Sequence, residues 1–231
     1  MDYSIGAALE AACGEMKIEV ATNAGQIEEA QRLRYKVYCE ERGFEPGANG
    51  LEQDTFDARS RHVLVRARAS GEVLGTVRVV LGEATTGASS FPMNYVCEHY
   101  VLAPLPAIAT GEISRFALTR DRPGVSAAAS ALMRIFLMRG IVTVSGMHDL
   151  THWCAIMERS LLRLLRATAI HFQHVGPAVE YHGTRQPAVG AISNVLGRMR
   201  NERPEMWSFI TDNGTLWVES QAQSEPARRF G

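Results

Sequence analysis

Charged side chains set inside apolar, strand-like runs are the part of this sequence most able to do chemistry. Arg78 sits between Val77 and Val79 in GTVRVVL, and Glu112 and Arg115 sit among Ile113, Phe116 and Leu118 in EISRFALT. A charge inside a packed sheet is costly unless it is paired. Two further groups could supply partners. Arg34 and Tyr38 are four residues apart, which places them on one helix face. Asp54 and Asp57 lie in LEQDTFD, just ahead of a strand hairpin. Two acids and three arginines could therefore satisfy one another in a single buried network. Taken one at a time, each could instead face solvent on an edge strand.

Glu112 and Arg115 are three apart, so on a regular strand they would point to opposite faces. A β-bulge between them would bring both to one face and free a backbone N–H. A free N–H aimed at a carbonyl oxygen is what acyl transfer requires. A regular ladder from Glu112 to Phe116 would remove this expectation.

The elements that must hold these residues can be read from periodicity and punctuation. Residues 17–21 suggest a strand. Asn23 with Gln26 suggests a capped helix over 25–42, on which Ile27, Ala30, Leu33 and Val37 repeat. Residues 43–50 are loop, and 63–69 and 72–81 are two strands joined at Ser70-Gly71. After a loop over 82–90 come a strand over 112–119, with punctuation at 121–124, and a long helix over 126–144. Then follow a strand over 152–157, a helix over 158–168, strands near 170–175 and 188–192, and a last helix from Pro204 to about residue 210. This order implies an α/β fold with a mixed sheet flanked by helices.

At 231 residues the chain suits one domain, with a core over 17–192, a helical extension over 193–218 and a frayed tail over 219–231. The 24 basic and 25 acidic side chains give a net charge of −1, which argues against nucleic acid as a partner. Cys13, Cys39, Cys97 and Cys154 form no C-x-x-C pair and read as reduced thiols. The first residues have no basic segment of the secretory type, and Arg134 and Arg139 interrupt the apolar run over 126–146. No membrane-spanning segment and a cytoplasmic location are expected. The pairs His148/His152 and His171/His174 have no motif to complete a metal site, so no metal is expected.

In order along the chain, RLRYKVYCEERGF, LEQDTFD, GTVRVVL, FP and EISRF resemble the acyl-homoserine-lactone synthases and their relatives, the N-acyl amino acid synthases. The resemblance is greatest to the acyltransferases associated with exosortase (PEP-CTERM) systems, and all share the GNAT fold. It spans residues 17–192 and is densest over 34–118. It implies a central sheet splayed at the active site. It assigns the motif positions to Arg34, Tyr38, Phe44, Asp54, Asp57, Arg78, Phe91, Glu112 and Arg115, with Ser114 and Phe116 inside the same strand motif. Tyr38 and Phe44 depart from the lactone synthase pattern, where phenylalanine and tryptophan stand, and this points away from S-adenosylmethionine as acceptor.

The implied reaction moves a fatty acyl group from a thioester carrier to the amine of an amino acid or similar small amine. Glu112 is the candidate general base, through water, if burial raises its pKa against the opposing pull of Arg115; otherwise it only orients the amine. Arg78 and Arg115 complete the catalytic set. Arg34, Tyr38, Phe44, Asp54, Asp57, Phe91, Ser114 and Phe116 are the substrate-side candidates. Asp54 and Asp57 would hold the amine or structure the N-terminal lobe. The arginines would tie the acids together or bind a substrate carboxylate. Cys39 and Cys97 have no matching His and acid, so no covalent intermediate is expected.

The loop TRDRPGVSAAAS does not match the Gly-rich pyrophosphate loop of acetyl-CoA users, which favours acyl carrier protein over coenzyme A as cosubstrate. Arg120 and Arg122 could meet the acidic face of such a carrier. No permanently bound cofactor is expected. HWCAIM, ALMRIFLM and SLLRLLR could line an acyl slot or simply form core. A homoserine-lactone synthase and a non-catalytic acyl-carrier-binding module are the alternatives.

Overall fold

A computed structural model describes residues 5–44, 49–84, 91–97, 102, 104–118 and 126–217. Its elements are α1 (Ile5–Glu15), β1 (Met16–Val20), α2 (Ala24–Tyr35), β2 (Ser60–Ala67), β3 (Val73–Leu81) and β4 (Thr110–Leu118). The second half holds α3 (Ala127–Met147), β5 (His152–Glu158), α4 (Arg159–Ala167), β6 (Gln173–His174), β7 (Val179–Glu180), β8 (Thr184–Ala191), α5 (Ile192–Glu202) and α6 (Pro204–Thr211).

The strands form one sheet in the order β1-β2-β3-β4-β5-β8-β6, with β7 also on β8. Every pairing is antiparallel except β4–β5. That parallel pairing covers only Thr110↔His152, Gly111↔Trp153 and Glu112↔Cys154. Beyond Glu112 the two strands part, so the sheet forks there. This is the splayed mixed sheet that the motif resemblance implies.

One face of the sheet carries the main core. Val63, Val65, Val77 and Val79 alternate inward along β2 and β3 and meet Phe136, Leu137 and Ile141 of α3. Gly140 permits that contact: a Cβ there would stand 2.2 Å from a Val63 methyl. By length and composition α3 is apolar enough to cross a membrane, the arginines at 134 and 139 notwithstanding, but 56% of its most apolar window is buried within the fold. It is the core helix that the pattern over 126–144 suggests. α5 and α6 close the same face, with Val195, Leu196, Met199 and Ile210 in the core.

The opposite face is covered by α2. Leu33 and Val37 pack on Ala117 of β4, and Asn23 caps the helix through Gln26 N–H. The helix expected over 25–42 is α-helical only to Tyr35; Lys36–Glu40 form a π turn closed by Glu41 N–H to the Lys36 carbonyl. Other differences are local. α1 was not expected. The strand over 170–175 shrinks to β6, and the strand at 188–192 begins earlier, at Thr184, because β7 folds back on it through a turn at His182 (φ +50°) and Gly183 (φ +95°). The 119–125 part of the TRDRPGVSAAAS loop, with Arg120 and Arg122, and the tail over 219–231 lie outside the described residues.

Candidate active site

The charged residues that looked out of place in sequence converge on the α2 face of β3 and β4. Arg34, fully buried, donates from both Nη atoms to Asp57 (2.8 and 3.3 Å) and from Nε to Glu52 (2.5 Å). Arg78, also fully buried, donates from Nη1 to Asp54 (2.6 Å) and Asp57 (2.8 Å) and from Nε to Ser114 Oγ (3.1 Å). Arg115 donates to Glu52 (2.9 Å) and Asp54 (3.2 Å). Three guanidiniums thus meet three carboxylates. Asp54 also caps the short helical turn Thr55–Arg59, accepting from Phe56 N–H, while Asp57 accepts from Asp54 N–H and from the Gln31 amide.

The electrostatics follow from this pairing. Burial alone would raise the Asp54 and Asp57 carboxyls, but hydrogen bonds and charge from their arginines outweigh it, and both fall below the usual carboxylate range. His62 faces the same cluster, 3.8 Å from Asp57, with neither ring nitrogen hydrogen-bonded. Burial, with Arg34 second, lowers its pKa to about 4, so it is neutral at physiological pH.

Glu112 stands apart from the network. It lies on the cleft face at the apex of the fork, beside Cys154, with Oε2 accepting from Met93 N–H at 2.9 Å. Among the described residues no guanidinium donates to it. Burial lifts its pKa to about 7, against the weaker opposing effects of the Met93 N–H, Arg78 and Arg115. The same burial, with Glu112 nearby, pushes the Cys97 thiol up to about 11 and Cys154 well above its ordinary value. Neither thiol is activated as a nucleophile.

The bulge lies one step further along β4 than expected. Arg78 pairs with Ser114 and Thr76 with Ala117, so Arg115 and Phe116 together oppose Val77. Arg115 adopts φ +52°, a left-handed conformation uncommon outside glycine. Glu112, Ser114 and Ala117 thereby share the α2 side, and Arg115 reaches the acids there. Tyr38 OH, on the π turn, donates to the Phe116 carbonyl (3.1 Å) and so ties α2 to the bulge.

These groups border a cavity of about 300 Å³. Glu112, Ser114, Arg115, Asp54, Tyr38 and Phe44 line it, with Glu52, Met93, Ile156, Tyr181, His182 and Arg185, which the sequence reading did not single out. Phe44 stacks on His182 (centroids 4.3 Å apart) and Tyr38 lies 6.0 Å from Phe44, so the end of α2 and the β7–β8 turn form one aromatic wall. Arg34, Arg78 and Asp57 lie behind the cavity, within the ion network. Phe91 is buried in a second apolar cluster with Met93, Leu102 and Cys154, and Phe116 packs toward the main core. The ALMRIFLM stretch of α3 belongs to that core, on the far face of the sheet. Glu52 lies in LEQDTFD, two residues before Asp54, where no periodicity marks which way its side chain turns. The β7–β8 residues carried no signal, because they meet α2 only through the fold.

Among the described residues no cluster of three His, Cys, Asp or Glu side chains could hold a metal. His148 accepts from Arg61, and His171 pairs with Arg198.

A family model described as an acetyltransferase (GNAT) domain matches residues 33–129. No curated protein matches the sequence at a significant level. Among solved structures, the chain resembles the AHL synthase LasI, at 18% identity and TM-score 0.58 over 75% of this chain and 88% of that one. It resembles FeeM, an N-acyl amino acid synthase from uncultured soil microbes, at 14% identity and TM-score 0.59 over 79% and 94%. It also resembles BjaI, a CoA-dependent acyl-homoserine lactone synthase, at 19% identity and TM-score 0.61 over 89% and 90%. At these identities the shared property is the fold. The domain match over the motif region and the forked sheet around Glu112 agree with that fold, the GNAT fold.

Proposed function

We propose that this protein transfers a fatty acyl group from a thioester, carried by acyl carrier protein or coenzyme A, to the amine of an amino acid or similar small amine. The observation that carries this reading is Glu112: a buried carboxylate, unpaired by any arginine among the described residues, with a pKa near 7, at the apex of the fork and three residues from the strand bulge. A base poised near neutrality can take a proton from an ammonium and remain ionised often enough to act.

The chemistry needs no covalent enzyme intermediate. Glu112, directly or through a water, accepts a proton from the incoming ammonium. The free amine attacks the thioester carbonyl, and we assign stabilisation of the oxyanion to a backbone N–H of β4 at the Arg115–Phe116 bulge. The C–S bond breaks, the amide forms, and the thiolate takes up a proton to leave as thiol. Met93 and Ile156, which line the cavity, offer the first acyl methylenes an apolar wall beside Glu112, backed by the buried cluster of Phe91, Leu102 and Cys154. Asp54 and Asp57 act here as scaffold, since their oxygens are occupied by arginines.

The donor reading leans toward acyl carrier protein because the loop after β4 lacks the Gly-rich pyrophosphate pattern. BjaI, described with isopentyl-CoA, keeps coenzyme A open. Four free cysteines suit a reducing cytoplasm. We treat the sheet with α5 and α6 as one catalytic domain. A lactone synthase reading is favoured by the likeness to LasI and BjaI and disfavoured by Tyr38 and Phe44, which build the acceptor-side wall.

The test is thiol release from octanoyl-coenzyme A and octanoyl-acyl carrier protein with a panel of amino acids, with products read by mass spectrometry. Acyl amino acids from the wild type, lost in Glu112→Gln, support the reading. Acyl lactones formed with S-adenosylmethionine would replace it with the second one. Equal product from mutant and wild type would reject Glu112 as the base.

A further inference from the structure

Charge balance differs between the two ends of the cleft. At the Arg115 end three guanidiniums are matched by three partly buried carboxylates. At the β7–β8 end, Arg42 and Arg185 share one: Glu158 Oε1 lies 3.4 Å from Arg42 Nη1 and 3.3 Å from Arg185 Nη2. Both contacts are long for charge-assisted hydrogen bonds. The Glu158 side chain is 43% exposed, whereas Arg185 is only 16% exposed. Arg185 is aimed by backbone: its Nε donates to the Tyr181 carbonyl at 2.6 Å and its Nη2 to the His182 carbonyl at 3.3 Å. Its Nη1 makes no hydrogen bond among the described residues, and Arg42 Nε is buried without one. Arg185 lines the cavity that also contains Glu112, and it stands directly across from Glu158 in the β5–β8 ladder. Glu158 is thus a loosely held carboxylate facing two guanidiniums that still have donors to give.

We infer that Arg185, with Arg42 beside it, is the specificity-determining site for the acceptor's carboxylate, and that Glu158 occupies that site as an internal stand-in until the acceptor displaces it. This rests on the acyl-transfer reading and narrows the acceptor from any small amine to an amino acid with a free carboxylate. The carboxylate docks at the Arg185 end, the amine points toward Glu112, and the aromatic wall of Tyr38, Phe44 and His182 lies between. Displaced Glu158 turns into solvent, to which its side chain is already open.

The experiment uses the purified full chain with octanoyl-coenzyme A, octanoyl-pantetheine and octanoyl-acyl carrier protein as donors. Acceptors are amino acids paired with their carboxamides. The wild type should favour the acid over the amide. Arg185→Ala should lower kcat/KM for the acid by about 10- to 100-fold, as expected for loss of a charged hydrogen-bonded contact. It should leave the amide within about threefold, the mark of a contact made only to the missing group. Arg185→Lys should rescue only part, because a point charge does not reproduce the guanidinium fork. Glu158→Gln should act in the opposite direction and lower KM for the acid about two- to fivefold, since it removes an exposed competitor. Misfolding cannot produce that gain.

Wild-type indifference between acid and amide overturns the inference and leaves acyl transfer standing. So does an equal loss on both acceptors in Arg185→Ala. A loss seen with octanoyl-coenzyme A but absent with octanoyl-pantetheine also overturns it, because Arg185 would then read the donor's phosphate. Should no donor release thiol with any amine, the acyl-transfer reading itself fails. Calorimetric titration of N-octanoylglycine against its amide then decides the site: acid-selective binding lost in Arg185→Ala sustains it, and equal binding of the two ligands removes it.

Discussion

The ion network behind the cavity and the single carboxylate at the fork draw on the same residue types around β3 and β4, and they end in opposite electrostatic states. Asp54 and Asp57 are partly buried and answered by arginines, so their carboxyls fall below the usual range. Glu112 is buried and answered by one backbone N–H, so its carboxyl rises to about 7. Desolvation pushes all three upward. What separates them is whether a guanidinium lies within hydrogen-bonding distance. The network is scaffold because its charges are spent on one another, and Glu112 can do chemistry because its charge is not.

The contrast breaks most sharply at Glu112. Glu112→Gln should cost about 10²- to 10⁴-fold in kcat, the usual range for a lost general base. Its thermal unfolding midpoint should not fall, because a neutral amide suits that buried site. Thiol release and calorimetry on the same sample check both halves. Arg34→Leu tests the other region. It leaves Asp57 and Glu52 short of a partner and should cost about 3–5 kcal/mol by denaturant titration, as when one member of a buried pair is removed.

Acidity separates the two regions further. As a base, Glu112 must be ionised, so kcat/KM should climb with pH through about 7, and this inflection should vanish in Glu112→Gln. Stability runs the other way at this residue. A carboxyl whose folded pKa is raised contributes stability below its unfolded value of 4.5, and that contribution is lost as pH rises through about 7. In the network the sign reverses. Asp57, depressed in the fold, contributes above its unfolded value of 3.8 and loses that contribution on further acidification. His62, lowered from 6.5 to about 4, contributes above 6.5 and loses stability as pH falls toward 4. His62→Gln should flatten the unfolding profile between those two values. The smallest effect is expected at the join between the regions. Tyr38→Phe removes one hydrogen bond to the bulge and should cost about 1 kcal/mol in stability. It should also lower kcat if the bulge it pins supplies the oxyanion donor, as proposed.

Much of this arrangement could be read from the chain. The strands around Arg78 and Glu112, the capped helix bearing Arg34 and Tyr38, and the long core helix announce themselves through alternation and 3.6-residue periodicity, which depend on local sequence alone. The need for a charge network was legible too, because Arg78 among valines must be paired unless its strand lies at an edge. Its third acid, Glu52, was passed over because it lies in a segment without periodicity, where nothing local marks which way a side chain turns. The bulge was expected from the spacing of Glu112 and Arg115, but its position, at Arg115–Phe116, depends on how β3 registers against β4.

The amino-acid sequence by itself determined the residue types of the site, the elements that carry them and the burial of charge, since all of these follow from neighbours along the chain. Only the tertiary structure decided which acid would go without an arginine, where β4 and β5 part, and that the β7–β8 turn would bring His182 and Arg185 to the end of α2. Those outcomes depend on distances between segments up to well over a hundred residues apart. No local pattern encodes them, because they are fixed by how the sheet twists and what its two faces must cover.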